Sequence, residues 1–308
     1  MNYLNRLINL SHSCLNRLSD LQQRDFVCVT LMGGLGNQMF QYATARSLAY
    51  RKRLPLLLDL SFLNANSNHT ESFTARPYSL DIFLGNKITV PCAPAKRHLR
   101  EIKENWQQDS IPEILHPPES RESYILSGYF QKYPYFQSCK DKIKQDFRFR
   151  YPLDAEAKQI SEQIQLTNSV CIHVRRGDYI RPSTQAFHGI IDIDYIKHCI
   201  ALASSQITNP DFYVFTDDPE WCNNHLPCLP NMVIASPELA GYKSSQHLQL
   251  MTKCKHFIIS NSSYSWWAAW LSDYHKKTVW YPNRWYRNKD VNTTGLCPDD
   301  WIGIPLNS

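Results

Sequence analysis

The 308-residue chain is predicted to be an α/β protein built on parallel sheets. Three observations carry that expectation. Short apolar runs end in glycine-rich or charged turns. Segments of helical period separate those runs. From Val170 onward the two kinds of segment alternate, the order that covers a parallel sheet with helices on both faces. A 43% hydrophobic and 20% charged composition is globular, and the length suits two domains.

Residues 1–24 form an extension. Leu4, Leu7, Ser11, Cys14, Leu18 and Leu21 follow a spacing of three and four, with Arg6, His12 and Arg17 on the polar side. Such a stripe suits a membrane surface or a partner helix; the plainer reading is a non-essential extension. It carries no recognisable signal-peptide cleavage site. Residues 25–155 are read as the first domain. Phe26 to Leu31 alternates like a strand and runs into Gly33-Gly34-Leu35-Gly36-Asn37-Gln38, then a helix from Met39 to Tyr50. A glycine turn between strand and helix lets backbone approach a ligand closely. It lacks the third glycine of a dinucleotide fingerprint and the Gly-Lys-Ser/Thr of a P-loop. Leu56-Leu57-Leu58 ends at Asp59 as another strand. Residues 64–74 are polar and loop-like, and the prolines at 91–94 and 117–118 mark breaks.

A helix over Leu153–Leu166 leads into the second domain, 156–308. Strands are expected at Val170–Val174, Phe212–Thr216, Phe257–Ser260 and Thr278–Tyr281. Helices are expected near Asp194–Ser204, Gln246–Lys253 and Ser265–Asp273, and 286–308 reads as a tail. Spacing of three and four puts Trp266 or Trp267 on the helix face of Trp270, and all three are assigned to the core.

The most informative stretch is His173-Val174-Arg175-Arg176-Gly177-Asp178, which follows a buried-type strand. Adjacent guanidiniums at the carboxyl edge of a sheet suit a diphosphate, because each fork matches two oxygens. The competing reading is a structural Arg–Asp pair. Asn261-Ser262-Ser263 after a strand suits a helix N-terminus, where free N–H groups favour either a phosphate or ordinary capping. Asp217-Asp218-Pro219 reads as an N-cap followed by proline at the first helical position. Capping with a base contact ranks above metal binding there.

Three motifs in order, Gly33 to Ala43, His173 to Tyr179 and Ser260 to Trp267, resemble the α-1,2-fucosyltransferases of glycosyltransferase family 11, in their bacterial form. Tyr78 to Phe83 and Phe215 to Asp218 add smaller similarities, and the likeness runs from about Phe26 to about Trp285. Ala268 departs from the glycine common in that family. The resemblance implies a GT-B-like fold of two Rossmann-like domains facing across a cleft. It implies inverting transfer of L-fucose from GDP-β-L-fucose to the 2-hydroxyl of a terminal β-galactoside in surface-polysaccharide assembly, without a metal or other cofactor. Arg175 would then stabilise the leaving diphosphate. Arg176 would be a second phosphate contact or the partner of Asp178. His173 and one of Asp217 or Asp218 would contact guanine, whose N1–H and amino group suit a carboxylate. Gly34, Gly36, Asn261, Ser262, Ser263 and Tyr264 complete the donor site. Asn37 would position the reactants, since an amide cannot serve as a base. For the base itself, Asp178, Asp59 and a diphosphate-assisted departure with no base all stand.

A formal charge of +5 favours an anionic small ligand. The basic residues are too dispersed for nucleic acid. Ten scattered cysteines without a Cys-x-x-Cys read as thiols of a reducing compartment, and the sequons at Asn68, Asn261 and Asn292 then carry no weight. No run of 18 apolar residues is present. The expectation is a cytoplasmic enzyme, with peripheral contact at the inner membrane face, acting on a glycan or glycolipid acceptor. The alternatives are a transferase for another GDP-sugar, a non-catalytic nucleotide-sugar-binding protein and an NAD-dependent oxidoreductase.

Overall fold

A computed structural model describes residues 24–70, 74–85, 87–95, 98–108, 110–120 and 122–306. The helical stripe expected from Leu4 to Leu21 lies outside the described residues. The first half contributes strands β1 (Val27–Thr30), β2 (Leu56–Asp59), β3 (Ile88–Val90), β4 (Leu99–Lys103) and β5 (Ser123–Ser127). With them run helices α1 (Leu35–Lys52), α2 (Ser61–Ala65), α3 (Pro112–Leu115) and α4 (Lys140–Asp146). The second half contributes β6 (Asn168–Val174), β7 (Pro210–Thr216), β8 (Met232–Ile234), β9 (His256–Ile258), β10 (Val279–Pro282) and β11 (Ile302–Ile304). Its helices are α5 (Ala155–Leu166), α6 (Pro182–His188), α7 (Ile193–Gln206), α8 (Pro219–His225), α9 (Ser245–Lys253) and α10 (Ser263–Leu271).

Two sheets result, in the orders β3-β2-β1-β5-β4 and β11-β10-β9-β6-β7-β8. Every pairing within them is parallel. The expected α/β fold is therefore present. The near-continuous apolar sequences of β1, β6 and β7 follow, because a parallel sheet is covered on both faces. The expected elements fall within a few residues of their places. α5 starts two residues later than expected because Asp154 caps it, accepting the N–H of Ala157 at 2.9 Å.

Three expectations need correction. The loop-like segment after β2 begins inside a short helix, α2, which Asp59 nucleates by accepting the N–H of Ser61. Strands β3 and β8, three residues each, are too short to be read from alternation, β4 is too charged, and β5 passes unmarked after the second proline break. The segment 286–308 is not a tail. β11 pairs with β10, and Leu296, Trp301 and Ile304 are buried.

One apolar core runs between the two sheets. α1 and α10 pack against each other there, and Phe40, Phe136, Trp266, Trp267 and Trp270 form an aromatic cluster with ring centroids 4.6 to 6.2 Å apart. The three tryptophans are core residues, as their spacing predicts. α1 buries Gln38 and Gln41 as well as its apolar side chains, and both amides are used. Gln38 donates to the carbonyls of Gly33 and Pro77 and accepts from Ser79 N–H. Gln41 accepts from Met32 N–H and donates to the Gly128 carbonyl. Two motif residues thus tie down loops that border the cleft.

Candidate active site

The carboxyl ends of both sheets face one cleft of about 700 Å³. The segments lining it follow β1, β4, β5, β6, β7, β9 and β10, so the opposed sheets each present the edge where ligands bind in open α/β folds. That volume suits a nucleotide sugar with room for a second small molecule.

At the centre two helices begin side by side. Gly34 is the N-cap of α1 and Ser262 that of α10, and neither N-cap side chain satisfies an N–H of its helix. Free N–H groups of both helices therefore border the same space, a positive potential suited to an anion. Their approach depends on Gly36, where a Cβ would lie 2.5 Å from the Ser263 carbonyl carbon and 2.6 Å from the Tyr264 nitrogen. Trp267 clamps the contact by donating to the Gly36 carbonyl at 3.0 Å. Gly33 has φ of +73°, which favours glycine.

Asn37 sits at this junction. Its Oδ1 accepts from Ser263 Oγ at 2.7 Å and from Gln131 Nε2 at 2.8 Å, and Gln131 Oε1 accepts from Tyr286 at 2.7 Å. The chain of bonds links both halves of the molecule across the cleft floor. Gln131 and Tyr286 carry no motif, and only the fold reveals them.

Arg175 lines the cleft beyond the end of β6. The register sets Val174 beside Thr216, so Arg175 and Asp217 leave adjacent strands together and pair at 2.6 Å. Asp217 also accepts the Arg176 N–H at 2.8 Å. Gly177 leaves room for this carboxylate, since a Cβ there would lie 2.4 Å from Asp217 Oδ2. Arg176 turns elsewhere. It pairs with Asp218 at 3.1 Å, lies over the Trp221 ring at 4.1 Å, and is not among the cleft-lining residues. Its described partner is Asp218. Asp218 also caps α8 by accepting the Trp221 N–H, with Pro219 following as expected. Asp178 lies in the 3-10 turn Gly177–Ile180, and its side chain is outside the described residues. Asp59 is buried, accepts from Thr30 and Ser61, and is not among the cleft-lining residues.

His173 lines the cleft with its ring buried, and Nδ1 contacts Ser260 Oγ at 2.8 Å. Burial, then the charges of Arg175 and His247, push its pKa down to about 3, so the ring is neutral at physiological pH. Asn261 donates to the carbonyls of His188 and Trp285, and its Oδ1 has no partner among the described residues. Ser262, Ser263 and Tyr264 all line the cleft. Tyr264 donates to the Ser244 carbonyl at 2.7 Å. Arg76 and Lys243 add cations to the lining that the sequence did not single out; Lys243 pairs with Asp81.

Among the described residues no group of three or more His, Cys, Asp or Glu is placed to hold a metal, and no helix is long and apolar enough to cross a membrane. The nine described cysteines are free thiols.

The sequence profile of glycosyl transferase family 11 matches residues 4–305. An O-antigen biosynthesis glycosyltransferase, WbnK of Escherichia coli, is 31% identical, covering 89% of this chain and 99% of its own. An α-1,2-colitosyltransferase of Escherichia coli is 28% identical over 90% of this chain and 98% of its own. The crystal structure of the fucosyltransferase NodZ from Bradyrhizobium superposes with a TM-score of 0.52 at 13% identity, covering 80% of this chain and 92% of NodZ. At that identity the likeness speaks for the GT-B-like fold alone.

Proposed function

We propose that this chain, which belongs to glycosyl transferase family 11 and is a glycosyltransferase by that membership, transfers L-fucose from GDP-β-L-fucose to the 2-hydroxyl of a terminal β-galactoside with inversion. The observation that carries the reading is the convergence of Arg175 with the N-termini of α1 and α10 on one cleft. A diphosphate held there meets a guanidinium and two sets of free N–H groups. These are preorganised donors for the charge that grows on the leaving group as the glycosidic bond breaks. Asp217 holds the Arg175 fork, and a guanine contact by Asp217 or Asp218 belongs to the same reading. In this reading neutral His173 offers Nε2 to the base, Asn37 positions the reactants, and the glycines admit the phosphates. The division at residue 155 into an acceptor-side and a donor-side domain belongs to the same proposal, as does a role in surface-polysaccharide assembly at the cytoplasmic membrane face.

A second reading, another GDP-sugar donor, is favoured by the similarity to the colitosyltransferase. Calorimetry with GDP-fucose, GDP-mannose, UDP-galactose and NAD, each with and without EDTA, separates the two. Selective, EDTA-insensitive binding of GDP-fucose is expected, followed by transfer to β-galactosides. Preference for another nucleotide would replace the donor assignment.

A further inference from the structure

Trp106 is a large aromatic residue that the core does not account for. It follows β4, lines the cleft, and is 39% exposed. Yet it is held at both ends. Its indole N–H donates to the Glu104 carboxylate at 3.0 Å, and its carbonyl accepts from Asn292 N–H at 2.7 Å. Glu104 also accepts the backbone N–H groups of Tyr129 at 2.6 Å and Phe130 at 2.8 Å. The turn it fixes contains Phe130 at φ of +52° and leads to Gln131, which holds Asn37. The Trp106 ring lies 5.3 Å from Phe187 and 6.1 Å from Tyr129, and Phe187 lies 5.4 Å from Tyr286. A rigid, exposed indole beside a polar network has the form of a recognition surface: a flat apolar face whose ordering cost is met before binding.

We infer that the Trp106 indole is the stacking platform for the ring of the acceptor sugar, with Glu104 as its positioning residue. The inference rests on the proposed transfer reaction. It places the acceptor beside the Asn37–Gln131–Tyr286 network, with Phe187 and Tyr286 linking the platform to the reaction centre. A galactose ring presents the C–H groups of carbons 3, 4 and 5 on one face, an apolar patch that matches an indole. A glucose ring, with its 4-hydroxyl equatorial, presents a different face to the platform.

The test uses the full chain and the variants Trp106→Ala, Trp106→Phe and Glu104→Gln. GDP affinity is read by calorimetry, and acceptor use by steady-state transfer from GDP-fucose to a β-galactoside. Trp106→Ala raises acceptor KM about tenfold or more, the scale of removing one aromatic ring from a sugar, while GDP affinity stays within about twofold. Trp106→Phe recovers most of the acceptor affinity. Glu104→Gln raises acceptor KM more than it lowers kcat. Unchanged acceptor KM in Trp106→Ala, with GDP binding intact, overturns the inference. Failure of the wild type to bind GDP-fucose is a failure of the donor reading instead. The platform is then judged by saturation-transfer NMR with methyl β-galactoside: a signal that disappears in Trp106→Ala supports it, and an undiminished signal overturns it.

Discussion

In the proposed reaction Arg175 would act through the shape of its fork. Asp217 holds one side of it at 2.6 Å, and the side chain lines the cleft. Arg175→Lys keeps the charge but loses the bidentate geometry, so transfer is expected to fall about 100-fold while the fold persists. Steady-state rates with circular dichroism check this, and an unchanged rate would remove Arg175 from the diphosphate. His173 makes a different prediction. Its pKa of about 3 lies below the ordinary 6.5, so between those values the unfolded chain binds a proton that the folded chain does not. Stability is therefore fully present above pH 6.5 and falls on acidification toward pH 3, at up to about 1.4 kcal/mol per pH unit. His173→Asn retains a polar partner for Ser260 and lacks the titration. Urea unfolding at pH 7 and pH 5 is expected to show a smaller loss in the variant; equal losses would place the acid sensitivity elsewhere, with buried His247 the next group to test.

At the scale of elements, the paired starts of α1 and α10 decide the site. Two glycines of one motif serve different ends there. A Cβ on Gly34 would meet only the Arg76 side chain, at 3.9 Å, whereas one on Gly36 would strike backbone of α10. Gly36→Ala is thus expected to cost about 1–3 kcal/mol and to weaken GDP binding by pushing α10 away. Gly34→Ala leaves stability within about 0.5 kcal/mol. Chemical denaturation of both variants is the check, and equal effects would contradict the close helix contact. The motif was legible as a glycine turn between strand and helix. That its second partner is the Asn-Ser-Ser start of a helix more than two hundred residues away was not, because no local rule couples them.

For the molecule as a whole, the carboxyl-terminal segment closes both the sheet and the cleft. Trp301 packs 5.3 Å from Trp266, β11 completes the second sheet, and Asn292 and Thr293 line the cleft. Ending the chain at residue 298 removes Trp301 and β11. That truncation is expected to cost at least about 3 kcal/mol, the scale of deleting one buried tryptophan, and a melting curve matching the full chain would restore the reading of a dispensable tail. The segment hid its role because its turns are rich in Asn, Asp and Pro and its one strand is three residues long. Edge strands of that length are stabilised by pairing and by the core beneath them, not by their own pattern.

What the sequence determined by itself is what depends on neighbours along the chain. Apolar runs, caps and turn residues fix which segments become strands and helices, so the parallel α/β class, the tryptophan core and the Asp218-Pro219 cap could all be read directly. Tertiary structure alone decided what depends on register and on distance through space. The two arginines stand next to each other in sequence, yet β6–β7 pairing sends Arg175 into the cleft beside Asp217 and Arg176 onto Trp221. Glu104, Trp106, Gln131 and Tyr286 follow three different strands, and they meet only because the carboxyl ends of those strands are brought to one cleft.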